Sequence, residues 1–511
     1  MSALTRRDLI RLGGAGAAGA AAAGLAACGA EDYEPRLSRA RDAPNVLLIV
    51  TDSTRRDYVS AYNPDSLAKT PNIDALARGG LRFDRAIPEA MPTGLVRRTI
   101  LTGMRSFPLR DWVSTPGLPP EPGWTPILPH QPILTEVLGN AGVATAYATD
   151  NPFLVGPRYV EFRRTLDLGK ADLSQAAYRA FNVPFERLAP RSAIERYLLP
   201  ELSDTVEVDR LRSYVGWNSL YRTSRRNYSA ARVVRAGMAA LEQLKHRQPF
   251  FLGVDAFDPH EPFDPPESDY EAEFGSAPLG IERRGIRPIQ PFNTPASEVS
   301  GLHIGEETVQ LVRRLYAAEL TFADRWIGAL LDKLDSLGLA DNTVVWYLSD
   351  HGVLLGERDI LGKSTSRPYR EIYQVPYVIR DPQGRRAGES TDYYASTHDV
   401  ARTILSVMGV RAPGVMDGED LSVLFEGGEP PARDTWTACY QDTWLAGDGR
   451  WLLMCPEAGR FRRLYDTARD PEERHDVAAE HPEKVDELWR VLEDAAGGTL
   501  PVFGRGMVIG G

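Results

Sequence analysis

Strands that alternate with helices predict an α/β chain built on a large, mostly parallel sheet with helices on both faces. Three stretches carry that expectation. "PNVLLIVTD" (44–52) is a nearly continuous run of Val, Leu and Ile closed by Asp52, the pattern of a strand buried on both faces. "ILTEVLGNAG" followed by "VATAYATD" (133–150) reads as a helix leading into a second strand, again closed by a carboxylate, Asp150. "EETVQLVRRLYAAELTFADRWIGALLDKLDSLG" (306–338) has apolar residues at helical spacing and Gly338 as its stop, and it feeds the strand-to-loop segment "NTVVWYLSDHG" (342–352).

The remaining elements follow in order. "TPNIDALARGG" (70–80) is a short amphipathic helix. "EAMPTGLVRRTILTG" (89–103) starts a helix near Thr93 and ends at Gly103. "QPFFLGVDAFDPHEPFDPP" (248–266) is a buried strand running into a Pro-rich loop, "VPYVIRDP" (375–382) a further strand, and "HDVARTILSVMGV" (398–410) a helix. Residues 151–230, rich in Arg and Tyr, are less regular and read as an insertion. Past about residue 430 the texture changes: "TWTACY", "WLLMC" and "FRRLYD" are short strands, followed by the helix "PEKVDELWRVLED". The acidic turn between them, "TARDPEERHDVA", reads as a solvated loop. The main α/β domain is therefore expected over 44–428, and a small α+β subdomain over 429–511.

The first 28 residues are expected to stand apart from the fold. Arg6 and Arg7 precede an uncharged Ala/Gly/Leu run from Leu12 to Ala27, too short and too rich in small residues to span a membrane. This is the anatomy of an export signal with a twin-arginine start. It ends "LAACG", which resembles the lipobox of bacterial lipoproteins, where the cysteine, here Cys28, becomes the lipidated first residue. Residues 29–43 are a polar tether. The expected location is outside the cytoplasm, on a membrane reached only through the Cys28 anchor. Removing 1–28 takes away three arginines (Arg6, Arg7, Arg11) and one aspartate (Asp8), moving the formal charge from −11 to −13. An acidic chain without a basic cluster argues against nucleic acid, and any anionic substrate must be held by local cations. Besides Cys28 the chain has only Cys439 and Cys455, which leaves a disulfide between them open.

In open α/β sheets, ligands bind beyond the carboxyl ends of strands. Asp52, the pair Asp350 and His351, and His260 all fall just past strands, where a lone aspartate is ordinarily a turn or cap residue. Several on one sheet edge point to a site. Asp52, Asp350, His351 and the hydroxyl of Thr93 would offer oxygens and one imidazole to a divalent cation, a set suited to Ca, Mg or Mn. Arg97 and Lys363 would balance a tetrahedral anion, and His260 would protonate a leaving group. Thr93 itself is either a helix cap or a nucleophile at an anion-binding helix end.

These segments resemble the sulfatases of the alkaline phosphatase superfamily. "PNVLLIVTDSTRRDYVSAYN" with "KTPNIDALARGGLRF" resembles their opening, and "TGLVRRTILTG" their Cys/Ser-x-Pro-x-Arg signature with its Leu-Thr-Gly ending. "DPHEPFDPP" is similar to their Pro-His loop, "LSDHGVLLGERDILGK" to their Ser-Asp-His-Gly segment with its downstream lysine, and "LYDTARDPEERHDVA" to their C-terminal segment. The resemblance spans about 44–495. It implies an alkaline-phosphatase-like sandwich, one divalent metal (calcium first) held by Asp52, Asp350 and His351, Arg97 supporting the nucleophile, and His260 and Lys363 around the transferred anion.

Three departures from the family pattern accompany the one at Thr93. Ser53 replaces the second aspartate of the opening pair, Leu95 replaces the signature proline, and "ATDNPFL" replaces a Gly-Lys-x-His segment, leaving Asn151 as the nearest polar substitute. Thr93 stands where the family oxidises Cys or Ser to formylglycine, which threonine cannot become. Formylglycine hydrate expels sulfate by elimination, whereas a phospho-threonine is resolved by water at phosphorus. The expectation is a metal-dependent hydrolase of phosphate mono- or diesters acting through Thr93. The alternatives are a true sulfuric ester hydrolase, a phosphotransferase acting on envelope polymers, and an inactive binding protein that keeps the fold.

Overall fold

The structure, a computed structural model, describes residues 43–116, 118–155, 157–167, 190, 192, 224–275 and 304–503. The signal, Cys28, the tether through residue 42 and most of the insertion at 151–230 lie outside the described residues.

In chain order the strands are β1 (Asn45–Thr51), β2 (Leu81–Ala86), β3 (Ala90–Met91), β4 (Ala144–Thr149), β5 (Phe250–Ala256), β6 (Thr343–Ser349), β7 (Leu354–Leu355), β8 (Leu361–Gly362), β9 (Tyr377–Arg380) and β10 (Ser390–Ala395). Four more close the chain: β11 (Trp436–Tyr440), β12 (Thr443–Gly447), β13 (Trp451–Cys455) and β14 (Arg463–Asp466). The longer helices are α1 (Pro71–Arg78), α2 (Thr93–Thr102), α3 (Leu134–Asn140), α4 (Ser229–Leu244), α5 (Glu267–Phe274), α6 (Glu306–Ser336), α7 (Asp399–Val407) and α8 (Pro482–Ala495).

Seven strands form the main sheet in the order β10-β2-β9-β6-β1-β5-β4. All pairings are parallel except those of β9, which runs antiparallel to β2 and β6. Interior strand β1 is buried at every residue, as its apolar run Val46–Val50 requires. Its side chains alternate between faces, and Leu47 and Ile49 enter a core with Ile73 of α1, Val233 of α4 and Leu330 of α6. Helices α2, α3 and α7 pack on one another and add nothing to that cluster.

The register places the chemistry. Thr51 pairs with Ser349, and Val50 with Asp255, so Asp52, Asp350 and Asp255 leave three adjacent parallel strands at nearly one level. The ladder continues one step past β1, with the Asp52 N–H donating to Ala256 O and the Asp350 N–H to Thr51 O.

A second sheet runs β14-β13-β12-β11-β3. Its last member is the dipeptide Ala90–Met91, parallel to β11 through Cys439↔Ala90 and Tyr440↔Met91. Leu488 and Leu492 of α8 close its core against Trp444 and Leu453. Cys439 and Cys455 are both free and buried. Each is in register with Trp444 from opposite sides, so a strand separates them by about 9–10 Å, beyond disulfide reach.

Other features went unpredicted. Strands β2, β10 and β12 carry no clear sequence signal: β2 reads "LRFDRA" and β10 "STDYYA", with charged or hydroxyl residues on their exposed faces. Helix α4 was not anticipated either, although Val233, Val234, Gly237, Leu241 and Leu244 give it a legible apolar face. The acidic turn at 467–478 is not wholly solvated. Glu473 is buried, accepts from the Arg370 N–H and the Tyr373 hydroxyl, and burial pushes its carboxyl up to about 8.

Candidate active site

Helix α2 begins at Thr93, ends at Thr102 and is stopped by Gly103 in the left-handed region (φ 63°). All ten of its residues are buried. The N-cap is Pro92, extended and without any side-chain cap, so Thr93 is the first helical residue and its hydroxyl does not cap the helix. Thr93 Oγ1 lies 3.2 Å from His351 Nε2 instead. The other ring nitrogen of His351 is 2.9 Å from the Gly352 carbonyl, which can only accept, so the proton sits on Nδ1 and Nε2 presents a lone pair to Thr93. Burial lowers the His351 pKa to about 4, which keeps the ring in this neutral form.

One turn on, Arg97 is buried among the three strand-end aspartates. Its NH2 and Nε donate to Asp255 at 2.8 and 3.2 Å, and NH1 donates to Asp52 at 3.0 Å and to Asp350. Burial opposes the guanidinium charge, but Asp255, Asp350 and Asp52 together hold its pKa far above the usual value. Asp255 was missed from the sequence. Its signal was available, because it occupies the carboxyl end of a buried strand just as Asp52 does. It also accepts from the Tyr147 hydroxyl at 3.2 Å, and the Tyr147 ring lies across Gly253, where a Cβ would come within 2.2 Å of the ring. A glycine is required there by close approach.

Asp52, Asp350 and His351 present ligand atoms within 4.8 Å of one another, all fully buried. The Asp350 carboxylate accepts from the backbone N–H groups of Ser53 (2.8 Å) and His351 (2.7 Å). Ser53 adopts φ 62°, a strained value for a non-glycine residue, and its hydroxyl donates to Asp52 at 2.7 Å. Three ionised aspartates around one arginine leave a net charge of −2. Burial pushes Asp52 and Asp255 up toward protonation, and Asp350 adds to the effect at Asp52. A divalent cation would cancel that imbalance, and two carboxylates with a lone-pair imidazole are a donor set that fits one.

His260 and Lys363 complete the group. His260 stacks on Phe257 at 4.0 Å and its Nδ1 is 2.7 Å from Glu261 O. It too is protonated on Nδ1, and burial lowers its pKa to about 4. Lys363 does not stand free: its Nζ is 3.0 and 3.2 Å from the Glu261 carboxylate. Asn151, at the end of β4, is fully buried; its Oδ1 accepts from Phe153 N–H and Leu154 N–H, and its Nδ2 has no partner among the described residues. Tyr440, in register with Met91, is another residue that the sequence did not announce. Burial, then the charges of Glu261, Asp350 and Asp52, push its hydroxyl far above the usual range.

A buried basic-and-acidic cluster at the carboxyl edge of a parallel sheet, with a hydroxyl at a helix start, is the kind of arrangement that ester-cleaving hydrolases use. The sulfatase family model matches residues 44–410, and the chain belongs to that family. It is similar to the multifunctional alkaline phosphatase superfamily protein PehA of Trinickia caryophylli, 28% identical over 76% of this chain and 78% of that one. It is also similar to an arylsulfatase of Clostridium perfringens, 23% identical over 88% and 93% of the two chains. Among solved structures, the phosphonate monoester hydrolase of Agrobacterium radiobacter superposes with a TM-score of 0.65 at 23% identity, covering 89% of this chain and 96% of that one. The chain is thus an ester hydrolase of the sulfatase superfamily, a family whose enzymes use a divalent metal, and Asp52, Asp350 and His351 form a possible site for it.

Proposed function

We propose that this chain cleaves phosphate mono- or diesters, with Thr93 as nucleophile. The observation that carries the reading is the Thr93 hydroxyl, uncapped at the start of α2, facing the lone pair of His351 Nε2 at 3.2 Å. A divalent cation held by Asp52, Asp350, His351 and the Thr93 oxygen would supply Lewis acidity, lowering the hydroxyl pKa and binding the anion. Calcium is the metal the family resemblance favours, with Mg or Mn as alternatives for elemental analysis to separate. Thr93 Oγ, its proton passed to water, attacks phosphorus in line, forming a Thr–O–P bond as the bond to the leaving oxygen breaks. Arg97 and Lys363 balance the charge on the anion. His260 Nε2 is an acceptor while the ring is neutral; a bound anion favours its protonated form, which then donates to the leaving oxygen. Water resolves the phospho-threonine and returns the hydroxyl.

Sulfate ester hydrolysis is the second reading, favoured by the arylsulfatase relative and by the presence of all six charged or imidazole side chains, Asp52, Arg97, His260, Asp350, His351 and Lys363. The two are separated by turnover of matched aryl sulfate, phosphomonoester, phosphodiester and phosphonate esters, with acid quench and mass spectrometry of the Thr93 peptide. A phosphoryl group on Thr93, and loss of several orders of magnitude in Thr93→Ala, are expected, with partial activity in Thr93→Ser. Near-normal turnover by Thr93→Ala would overturn the nucleophile. We further propose that the chain works outside the cytoplasm, exported through the Arg6-Arg7 signal and tethered by lipid on Cys28.

A further inference from the structure

A second cavity, of about 380 Å³, opens where the segment after α2, the β10–α7 connection, the start of β11 and α8 meet. None of the residues lining it belongs to the site described above. Its volume falls within the range of small-molecule sites. Arg105, His398, Arg433, Trp436, Thr437 and Asp494 line it.

The hydrogen-bond inventory of this cavity is unbalanced toward donors. The carboxylates behind it are committed: Asp399 accepts from the N–H groups of Ser396 and Glu419 and from both NH groups of Arg433. Glu89 accepts from Ser106 N–H, Phe107 N–H and Arg105 Nε. The guanidiniums are not fully used. Among the described residues, Arg105 spends Nε on Glu89 and NH2 on Thr437, leaving NH1; Arg433 spends NH1 and NH2 on Asp399 and the Tyr394 carbonyl, leaving Nε. His398 is 7% exposed, and its Nδ1 has no partner among the described residues. With its proton on Nδ1, the neutral His398 ring adds a buried donor to the two partly spent guanidiniums, a set that suits a ligand with acceptor oxygens. The other lining groups, the Thr437 hydroxyl, the exposed Asp494 carboxylate and the edge of Trp436, suit a ring that carries hydroxyls.

We propose that this cavity is a second binding site, separate from the ester-cleaving one, for a hydroxylated organic anion of monosaccharide size, with its carboxylate on Arg105, Arg433 and His398 and its hydroxyls on Thr437 and Asp494. It stands independently of whether the hydrolase acts on phosphate or sulfate.

The test is isothermal titration of the full chain with D-glucuronate, D-glucose and inorganic sulfate, on the wild type, Arg105→Gln and Ala495→Trp. Ala495 lines the cavity from an exposed position on α8, so tryptophan there fills the cavity without entering a core. The expected result is one glucuronate per chain with Kd below about 1 mM, and glucose and sulfate each at least about tenfold weaker. Arg105→Gln should weaken glucuronate by about tenfold or more through loss of a charge-assisted contact, and Ala495→Trp should abolish binding. Both variants should turn over an activated aryl ester at the wild-type rate, which shows that the chain is folded. Glucuronate binding that survives both substitutions, no binding up to about 10 mM, or equal affinity for glucose or sulfate would each overturn the assignment.

Discussion

Asp255 offers the sharpest check on the site, because its carboxylate holds Arg97 without belonging to the metal-ligand set. Two of the four hydrogen bonds made by the Arg97 side chain end on Asp255, at 2.8 and 3.2 Å, and both partners are buried. In Asp255→Ala the guanidinium loses both bonds and one neutralising charge. Removing one partner of a buried pair costs about 3–5 kcal/mol. For a compact unit spanning Pro35–Gly511, with an unfolding entropy of about 1 kcal/mol/K, that lowers Tm by about 3–5 °C. Asp255→Asn keeps the shape and one acceptor, so it gives up a single charge-assisted bond, about 1.5–3 kcal/mol. With Arg97 no longer fixed, transition-state charge is less well balanced, and kcat should fall by about 10²–10³ while KM changes little. Metal content should stay at the wild-type level, since Asp52, Asp350 and His351 are untouched. The assay pairs steady-state kinetics on an aryl phosphate with elemental analysis of the same preparation. Loss of metal from Asp255→Asn would make Asp255 a ligand and refute the positioning role; an unchanged kcat would show that Arg97 needs no such support.

Other outcomes are open to direct measurement. His260→Ala should slow esters with poor leaving groups by about 10²–10⁴ and activated esters much less; equal losses on both would remove His260 as the proton donor. Burial lowers the His398 pKa to about 3, so between that value and about 6.5 the unfolded chain binds the extra proton, and stability falls as pH falls. At pH 5 this amounts to about 2 kcal/mol relative to pH 7, and His398→Gln should lose correspondingly less Tm on that shift; an identical pH response would refute it. Mass spectrometry of the exported chain should find Cys28 at the N-terminus carrying lipid, and a chain that keeps Met1 in the cytoplasm would contradict the signal reading.

The sequence by itself determined the parts whose chemistry is local. Runs buried on both faces, such as "NVLLIVT" and "TVVWYLS", read as interior strands, because they are seven residues long, rich in β-branched residues and apolar at nearly every position, as a doubly covered strand tolerates. The carboxylates that close these runs, Asp52 and Asp350, were legible with them, as was the helix from Thr93 to its glycine stop. The strands at the β10 end of the sheet were not: β10 and its neighbour β2 have one wet face, and their mixed side chains look like loop. Register decided the rest. Asp255 lies six residues into a strand and 158 residues from Arg97, and only the pairing of β5 with β1 sets it level with Asp52. Whether Thr93 caps its helix or faces His351 was likewise undecidable along the chain. Both fates use the same residue at the same helix start, and the difference lies in what the neighbouring strand brings within 3.2 Å of the hydroxyl.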